Sequence, residues 1–310
     1  KIHISKLNPR NIVNLVSDLR NFIREENIAI TDCIKVFIET CNLDSDLTST
    51  VNSIKSSVDR AIKETRQSLF PITHSYNSYI KLFNEMKARI KEKDESVPVF
   101  NNGYYYYTRA EEGKQYYKYC RKKGSLEAKE EILFDCNEMA KGHSYFNLSG
   151  LNVSEDNKWV AFGVDLVSRR QYTIQIKNLE TGEILPVKLE NTTGGSTWAG
   201  DNKTLFYTRK DAQTLRSDKI YKHTLGAEAS TDVMVFHEKD DTFSTFVYKE
   251  KSKKYLVIGS SSTLTSEYQI LDAKNPNGEF KVFQKRTRGL EYSISHYGDS
   301  FYIVTNKDKD

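Results

Sequence analysis

Acyl-transfer chemistry needs a serine presented on a tight strand-to-helix turn. The G-x-S-x-G elbow supplies it, because glycine tolerates the close approach on either side of the nucleophile. Gly142-His143-Ser144-Tyr145-Phe146 comes near that pattern but carries phenylalanine where the last glycine belongs. Gly259-Ser260-Ser261-Ser262-Thr263 fails at the same position, and no helical pattern follows either stretch. The six histidines (His3, His74, His143, His223, His237 and His296) are scattered, with no pair at metal-ligand spacing. Cys33, Cys41, Cys120 and Cys136 show no metal spacing either. On a straight helix Cys33 and Cys41 would stand about 12 Å apart, too far for a disulfide. Gly194-Gly195 lacks the lysine and helix start of a phosphate cradle. Arg169-Arg170, Asp240-Asp241 and the run Lys249 to Lys254 read as exposed loops and corners. No residue is therefore assigned to catalysis, to a cofactor or to a metal.

Elements that could hold a site fall into two halves. Up to about Asp94 the apolar residues recur at helical spacing. Asn8-Pro9 is a cap followed by proline at the first helical position. Ile12, Leu15, Val16, Leu19, Phe22 and Ile23 follow it, and a short helix is expected over residues 32–41. Leu47, Val51, Ile54, Val58 and Ala61 alternate steps of four and three, a packing seam. After Pro71, residues Tyr76, Tyr79, Ile80, Phe83, Met86 and Ile90 form one more amphipathic face, expected to pack against the other helices.

After Pro98 the period becomes two, and the pattern repeats. Gly103-Tyr-Tyr-Tyr-Tyr, Lys158-Trp-Val-Ala-Phe, Lys203-Thr-Leu-Phe-Tyr, Lys254-Tyr-Leu-Val-Ile and Asp299-Ser-Phe-Tyr-Ile stand 55, 45, 51 and 45 residues apart. In the first four units a second run follows (116–120, 172–176, 220–223, 268–271), then a third (132–134, 184–187, 233–236, 281–283). A further short run precedes each later turn (145–148, 197–198, 246–248, 292–294). Four strands in roughly 40 to 55 residues is the size of a propeller blade. A middle strand sandwiched between neighbouring blades is apolar on both faces, which accounts for Tyr104 to Tyr107. The fold class is mainly β, a partial propeller of four-stranded blades preceded by an α-helical segment. The expected domains are 1–94, helical, and 95–310, about four blades and the start of a fifth.

The 310 residues allow a sizeable core. Lys and Arg number 46 against 42 Asp and Glu, interspersed along the chain, so no basic stripe points to nucleic acid. No apolar run approaches the roughly 20 residues that cross a bilayer, and no signal-peptide pattern opens the chain. Free buried thiols fit a reducing, cytoplasmic compartment, with the periplasm as the alternative.

FNEMKARIKEKDESVP (83–98), YYYTRAEEGKQYYKYCRKKGSLEAKEEILFDCNEMAKGHSYF (105–146), VSEDNKWVAFGVDLVSRRQYTIQIKNLETGE (153–183) and NKTLFYTRKDAQTLRSDKIYKHTLG (202–226) resemble the propeller of oligopeptidase B, in the prolyl oligopeptidase family of serine peptidases. The resemblance implies a seven-bladed propeller over an α/β-hydrolase domain that follows it in sequence and carries the Ser, Asp and His. It also implies cleavage of oligopeptides after Arg or Lys, with the propeller limiting access by folded proteins. No segment up to Asp310 matches the hydrolase domain, so no triad residue carries over, and this chain alone is expected to be inactive. Residues 1–80 lack the family's usual Asp-Tyr-Trp-type motif. The implied partner is an oligopeptide acting through that hydrolase domain, with no cofactor, nucleic acid or membrane, and with self-association through the open propeller edge. The alternative is a stand-alone propeller-like interaction module with no peptidase role.

Overall fold

In a computed structural model the protein is described over residues 77–308, together with Ser53, Ser56, Ser57, Asp59, Arg60, Lys63 and Glu64, which are helical. The apolar seams expected over residues 12–23, 32–41 and 47–61, with Cys33 and Cys41, lie outside the described residues. The chain divides into two compact units, Lys1–Lys91 and Glu92–Asp310. In the first, residues 77–88 form the expected helix, held by an Arg89–Glu85 pair at 2.7 Å. Its apolar stripe does not pack as expected. Tyr79, Phe83, Met86 and Ile90 are each more than half exposed.

The second unit is built of antiparallel sheets. Blade 1 contains β2 (Val99–Asn101), β3 (Tyr104–Ala110), β4 (Lys118–Lys123) and β5 (Glu130–Asp135). The two-residue β1 (Asp94–Glu95) pairs with the far end of β3. Blade 2 contains β6 (Asn147–Val153), β7 (Trp159–Asp165), β8 (Tyr172–Asn178) and the start of β9 (Leu189–Trp198). The end of β9 opens blade 3, followed by β10 (Thr204–Lys210), β11 (Ser217–Thr224) and β12 (Val233–His237). Blade 4 is β13 (Ser244–Lys249), β14 (Tyr255–Ser261), β15 (Ser266–Asp272) and β16 (Lys281–Val282). A hairpin of β17 (Tyr292–Tyr297) and β18 (Ser300–Thr305) begins a fifth.

Consecutive apolar residues in the middle strands feed two interfaces at once. Successive side chains point to opposite faces. Val160 and Phe162 of β7 join Phe134, Phe146 and Leu148 between blades 1 and 2. Ala161, between them, joins Trp198, Leu205 and Tyr207 on the blade 3 side. Phe206 of β10 packs with Leu256 and Ile258 of β14, and Val257 packs with Tyr292 and Ile294. The strand β3 departs from this rule. Tyr107 is buried, but Tyr104, Tyr105 and Tyr106 are only partly so. Blade 1 has an apolar interface with blade 2 alone among the described residues. Tyr106 packs into that interface, while Tyr105 rests beside the exposed Phe100 at 4.9 Å.

Each inner hairpin turns on a residue of positive φ: Asn102 (48°), Asn157 (61°), Asn202 (56°), Lys253 (62°) and Gly298 (60°). Asparagine tolerates the left-handed region better than most side chains. These turns also stitch adjacent blades, since Asn157 Nδ2 donates to the Asn102 carbonyl at 3.0 Å. The backbone N–H of Asp156 donates to Asn202 Oδ1 at 3.2 Å.

The run at 184–187 is not a ladder strand. Ile184 makes one isolated bridge to Lys177, and Pro186, which has no N–H to donate, separates it from the outer strand at Leu189. From there β9 passes from blade 2 into blade 3 without a break. The crossing depends on glycine. A Cβ on Gly150 would lie 1.9 Å from the Gly194 carbonyl oxygen, and one on Gly163 would lie 2.5 Å from the Gly194 Cα. Gly194-Gly195 is thus a crossing point inside a strand and not a loop.

Candidate functional site

Residues of all four blades line a cavity of about 670 Å³. Blade 1 contributes Phe100 and Asn102 near its inner hairpin, and Tyr107 and Cys120 from β3 and β4. Asn152 and Glu155 come from blade 2, Ser196 and Thr197 from β9, and Tyr248 to Lys251 with Lys253 from the β13–β14 hairpin. The Lys249 to Lys254 run is therefore not the purely solvated corner its composition suggests. Glu250 is buried, and Lys249 Nζ pairs with Glu155 Oε1 across the cavity. Lys253 Nζ reaches Asn102 Oδ1 in the first blade. Extending the two-residue period of β13 past its end places Glu250 on the same face as Tyr248. That alternation is the one signal in the sequence that marks it.

The blade 1 wall is a tied polar cluster. Tyr107 donates to Glu130, which also accepts from Arg109 Nη2 at 2.8 Å. Burial, reinforced by Glu130, raises the Tyr107 hydroxyl far above its ordinary value. Burial and the Glu130 charge push the Cys120 thiol up to about 11, so it is neutral at physiological pH and a poor nucleophile. Cys136, also free and buried, is pushed up by burial to about 12. The wall thus offers shape and hydrogen bonds, and no activated nucleophile.

The stretches singled out for chemistry do not converge. Ser144 is exposed in the turn before β6. Ser261, the serine at the elbow position of the second stretch, is partly buried at the end of β14, whose successor is the strand β15 and not a helix. His223 is buried against Asp232 at 2.6 Å, and Tyr207 donates to the same carboxylate at 2.7 Å. His237 stands 3.5 Å from Asp218, while His296 packs on Tyr255 and Phe301. His143 is exposed, and His3 and His74 lie outside the described residues. No group of three or more His, Cys, Asp or Glu among the described residues could hold a metal. Arg169 and Arg170 are exposed between β7 and β8. Asp240 caps its own turn through Thr242 and stands 3.8 Å from Arg286. No helix among the described residues is long and apolar enough to cross a membrane.

Similarity to known proteins agrees with this architecture. The model of the prolyl oligopeptidase N-terminal β-propeller domain matches residues 71–309. Dipeptidyl aminopeptidase BI of Pseudoxanthomonas mexicana is 39% identical over 243 residues, covering 74% of this chain and 34% of that protein. Protease 2 of Moraxella lacunata is 31% identical over 234 residues, covering 73% of this chain and 34% of its own length. Among solved structures, oligopeptidase B from Leishmania major superposes with a TM-score of 0.69 at 29% identity, covering 86% of this chain and 37% of that one. The chain thus spans about a third of the length of these curated relatives.

Proposed function

Because the chain belongs to the prolyl oligopeptidase family, through its N-terminal propeller domain, we propose that its central cavity admits oligopeptides on their way to a hydrolase domain and excludes folded proteins. The catalytic domain is not among these 310 residues, and they constitute the propeller portion of such a peptidase. The observation that carries the reading is the cavity lined by residues of all four blades. A cavity of this size accepts an extended peptide segment and not a folded domain.

Under this reading residues 1–94 form a helical segment and 95–310 the blades. The substrates are oligopeptides cleaved after Arg or Lys, as the resemblance to oligopeptidase B implies, and the compartment is the cytoplasm, where the free thiols of Cys120 and Cys136 stay reduced. The half-built fifth blade leaves Tyr302, Ile303 and Val304 at least half exposed, with β18 unpaired along one side. Such an edge associates with another strand, so the isolated chain is expected to self-associate.

The test compares this chain with a version joined to the hydrolase region of a relative. The joined protein should cleave a short fluorogenic peptide ending in Arg and leave a folded protein with an exposed Arg intact. The chain alone should do neither. Equal cleavage of both substrates by the joined protein would rule out selection by the propeller.

A further inference from the structure

The loop between β7 and β8 holds charge outward on a fixed frame. It carries Leu166, Val167, Arg169 and Arg170, all exposed. Beneath it the buried Asp165 carboxylate turns both oxygens to the loop backbone. Oδ1 accepts the Val167 N–H at 2.9 Å and Oδ2 the Arg170 N–H at 2.8 Å. Ser168 and Arg170 have φ of 60° and 53°, a region that residues with side chains seldom occupy. Such backbone persists where its surroundings over-determine it. Lys210, at the end of β10, adds a further tie, its Nζ donating to the Arg170 carbonyl at 2.6 Å.

Like charges gather here. Arg209 precedes Lys210 and pairs in register with Thr192, which pairs with Tyr172, two residues beyond Arg170. Its guanidinium lies 4.5 Å from the Tyr221 ring centroid. Among the described residues, Arg169, Arg170, Arg209 and Lys210 form no ion pair, whereas Arg109, Arg121, Arg216 and Arg286 each meet a carboxylate. Asp211, next in sequence, is engaged by the Gln213 and Thr214 N–H groups of its own turn. Burial, and then the Arg170 charge, hold the Lys210 ammonium below its usual value. None of these residues lines the central cavity, so a peptide inside it does not answer the charge. Carboxylates from outside do, because a guanidinium takes a carboxylate in a fork and arginine is enriched at protein interfaces. Leu166 and Val167 offer apolar contact, which a polypeptide uses and an inorganic anion does not. The chain's other charges are interspersed, 46 basic against 42 acidic, so the patch does not extend into the stripe that a nucleic-acid backbone needs.

We propose that the β7–β8 loop, with Arg209 and Lys210, is a docking surface for an acidic segment of a partner polypeptide. Arg169 and Arg170 receive its carboxylates, and Leu166 and Val167 its apolar side chains. The surface lies outside the cavity and needs no hydrolase chemistry, so this inference stands or falls apart from the size-selection reading.

Fluorescence anisotropy of the 310-residue chain tests it. The probe is a fluorescein-labelled peptide of aspartate and glutamate with interspersed leucine. Its counterpart carries asparagine and glutamine in place of the acids. The acidic peptide should bind tenfold or more tightly at low salt, and added salt should erode the preference. Arg169→Gln with Arg170→Asn should weaken binding at least fivefold, asparagine being chosen because it tolerates positive φ. Lys158→Gln with Lys203→Gln, which removes the same charge from the hairpin turns at the opposite ends of β7 and β10, should leave it unchanged. Should the arginine double variant melt early, Arg169→Gln alone, changed at an exposed side chain, is expected to weaken binding at least twofold. Equal binding of the two peptides, no binding of either, or an equal loss in both double variants would overturn the proposal. So would undiminished binding in the folded arginine variants, or tighter binding of a labelled oligonucleotide than of the acidic peptide.

Discussion

Replacing Arg286 by alanine should be among the most damaging polar substitutions in the propeller. Its guanidinium meets the Glu238 carboxylate through two nitrogens, at 2.6 and 3.4 Å, and Glu238 also accepts the Asp240 N–H at 3.1 Å. The same guanidinium lies 3.7 Å from the Phe243 ring centroid and 3.4 Å from Glu267. The Glu238 side chain is 5% exposed and sits in the connection from β12 to β13, while Arg286 comes from the loop after β16. One ion pair therefore fastens the segment that enters blade 4 to the segment that leaves it. Leaving a buried carboxylate unpaired costs about 3–5 kcal/mol. The lost ring contact is worth about 1 kcal/mol and overlaps with that figure rather than adding to it. Urea unfolding at pH 7, followed by circular dichroism and tryptophan fluorescence, should show a loss of about 3–5 kcal/mol. The double variant Arg286→Met with Glu238→Leu, which removes both charges, should fall within about 1.5 kcal/mol of wild type, because the desolvation cost leaves with the pair. The pH dependence has a definite sign. Burial alone would raise the Glu238 carboxyl, but hydrogen bonding from Arg286 and the Asp240 N–H, with the guanidinium charge, outweighs it and holds the group below its usual range. The wild-type contribution is therefore fully present above the ordinary glutamate pKa, about 4.3, and is lost as pH falls through the lower folded value. The gap between wild type and Arg286→Ala should close toward pH 3. A cost under 1 kcal/mol at pH 7, or a double variant as unstable as the single one, would refute the clamp.

Gly194→Ala places a Cβ 2.8 Å from the Tyr172 ring at a φ of +85°, so it should unfold several degrees earlier than Gly103→Ala, which shares the φ but meets nothing within 4 Å. Differential scanning calorimetry distinguishes them. Trp198→Ala empties a fully buried site between blades 2 and 3 and strands the Asn152 carbonyl that its Nε1 reaches at 3.0 Å. It should cost about 3–5 kcal/mol in chemical denaturation. A fluorophosphonate probe should leave every serine of this chain unlabelled, and adduct formation at Ser144 by mass spectrometry would contradict the assignment of this chain as non-catalytic. Lysine at Tyr302 and Val304, two exposed positions of β18, should lower the sedimentation coefficient of any self-associated species. An unchanged profile would locate association elsewhere.

The blades were legible in the sequence because a strand buried on both faces has no use for alternation. Trp159-Val-Ala-Phe, Leu205-Phe-Tyr and Leu256-Val-Ile could be lined up by eye, and the structure sends their alternate residues to two different interfaces. Four of the five positive-φ turns were equally visible, since asparagine or glycine marks them, while the blade 4 turn carries Lys253 instead. What the linear order could not decide was which faces have neighbours. Tyr104 to Tyr107 has the composition of a doubly covered strand, yet three of its tyrosines are half-buried, because burial depends on whether a second blade stands beside the first. The helix at 77–88 shows the same limit, with an amphipathic stripe that is legible and a partner that is not. Pro186 carried a warning that the run at 184–187 was no ladder strand, but the crossing of β9 over Gly150 and Gly163 joins residues more than 30 positions apart. The cavity was least visible of all. Glu250 sits in a lysine-rich hairpin that composition assigns to solvent, and only the tertiary structure buries it, with its carboxylate accepting the backbone N–H of His296 from β17.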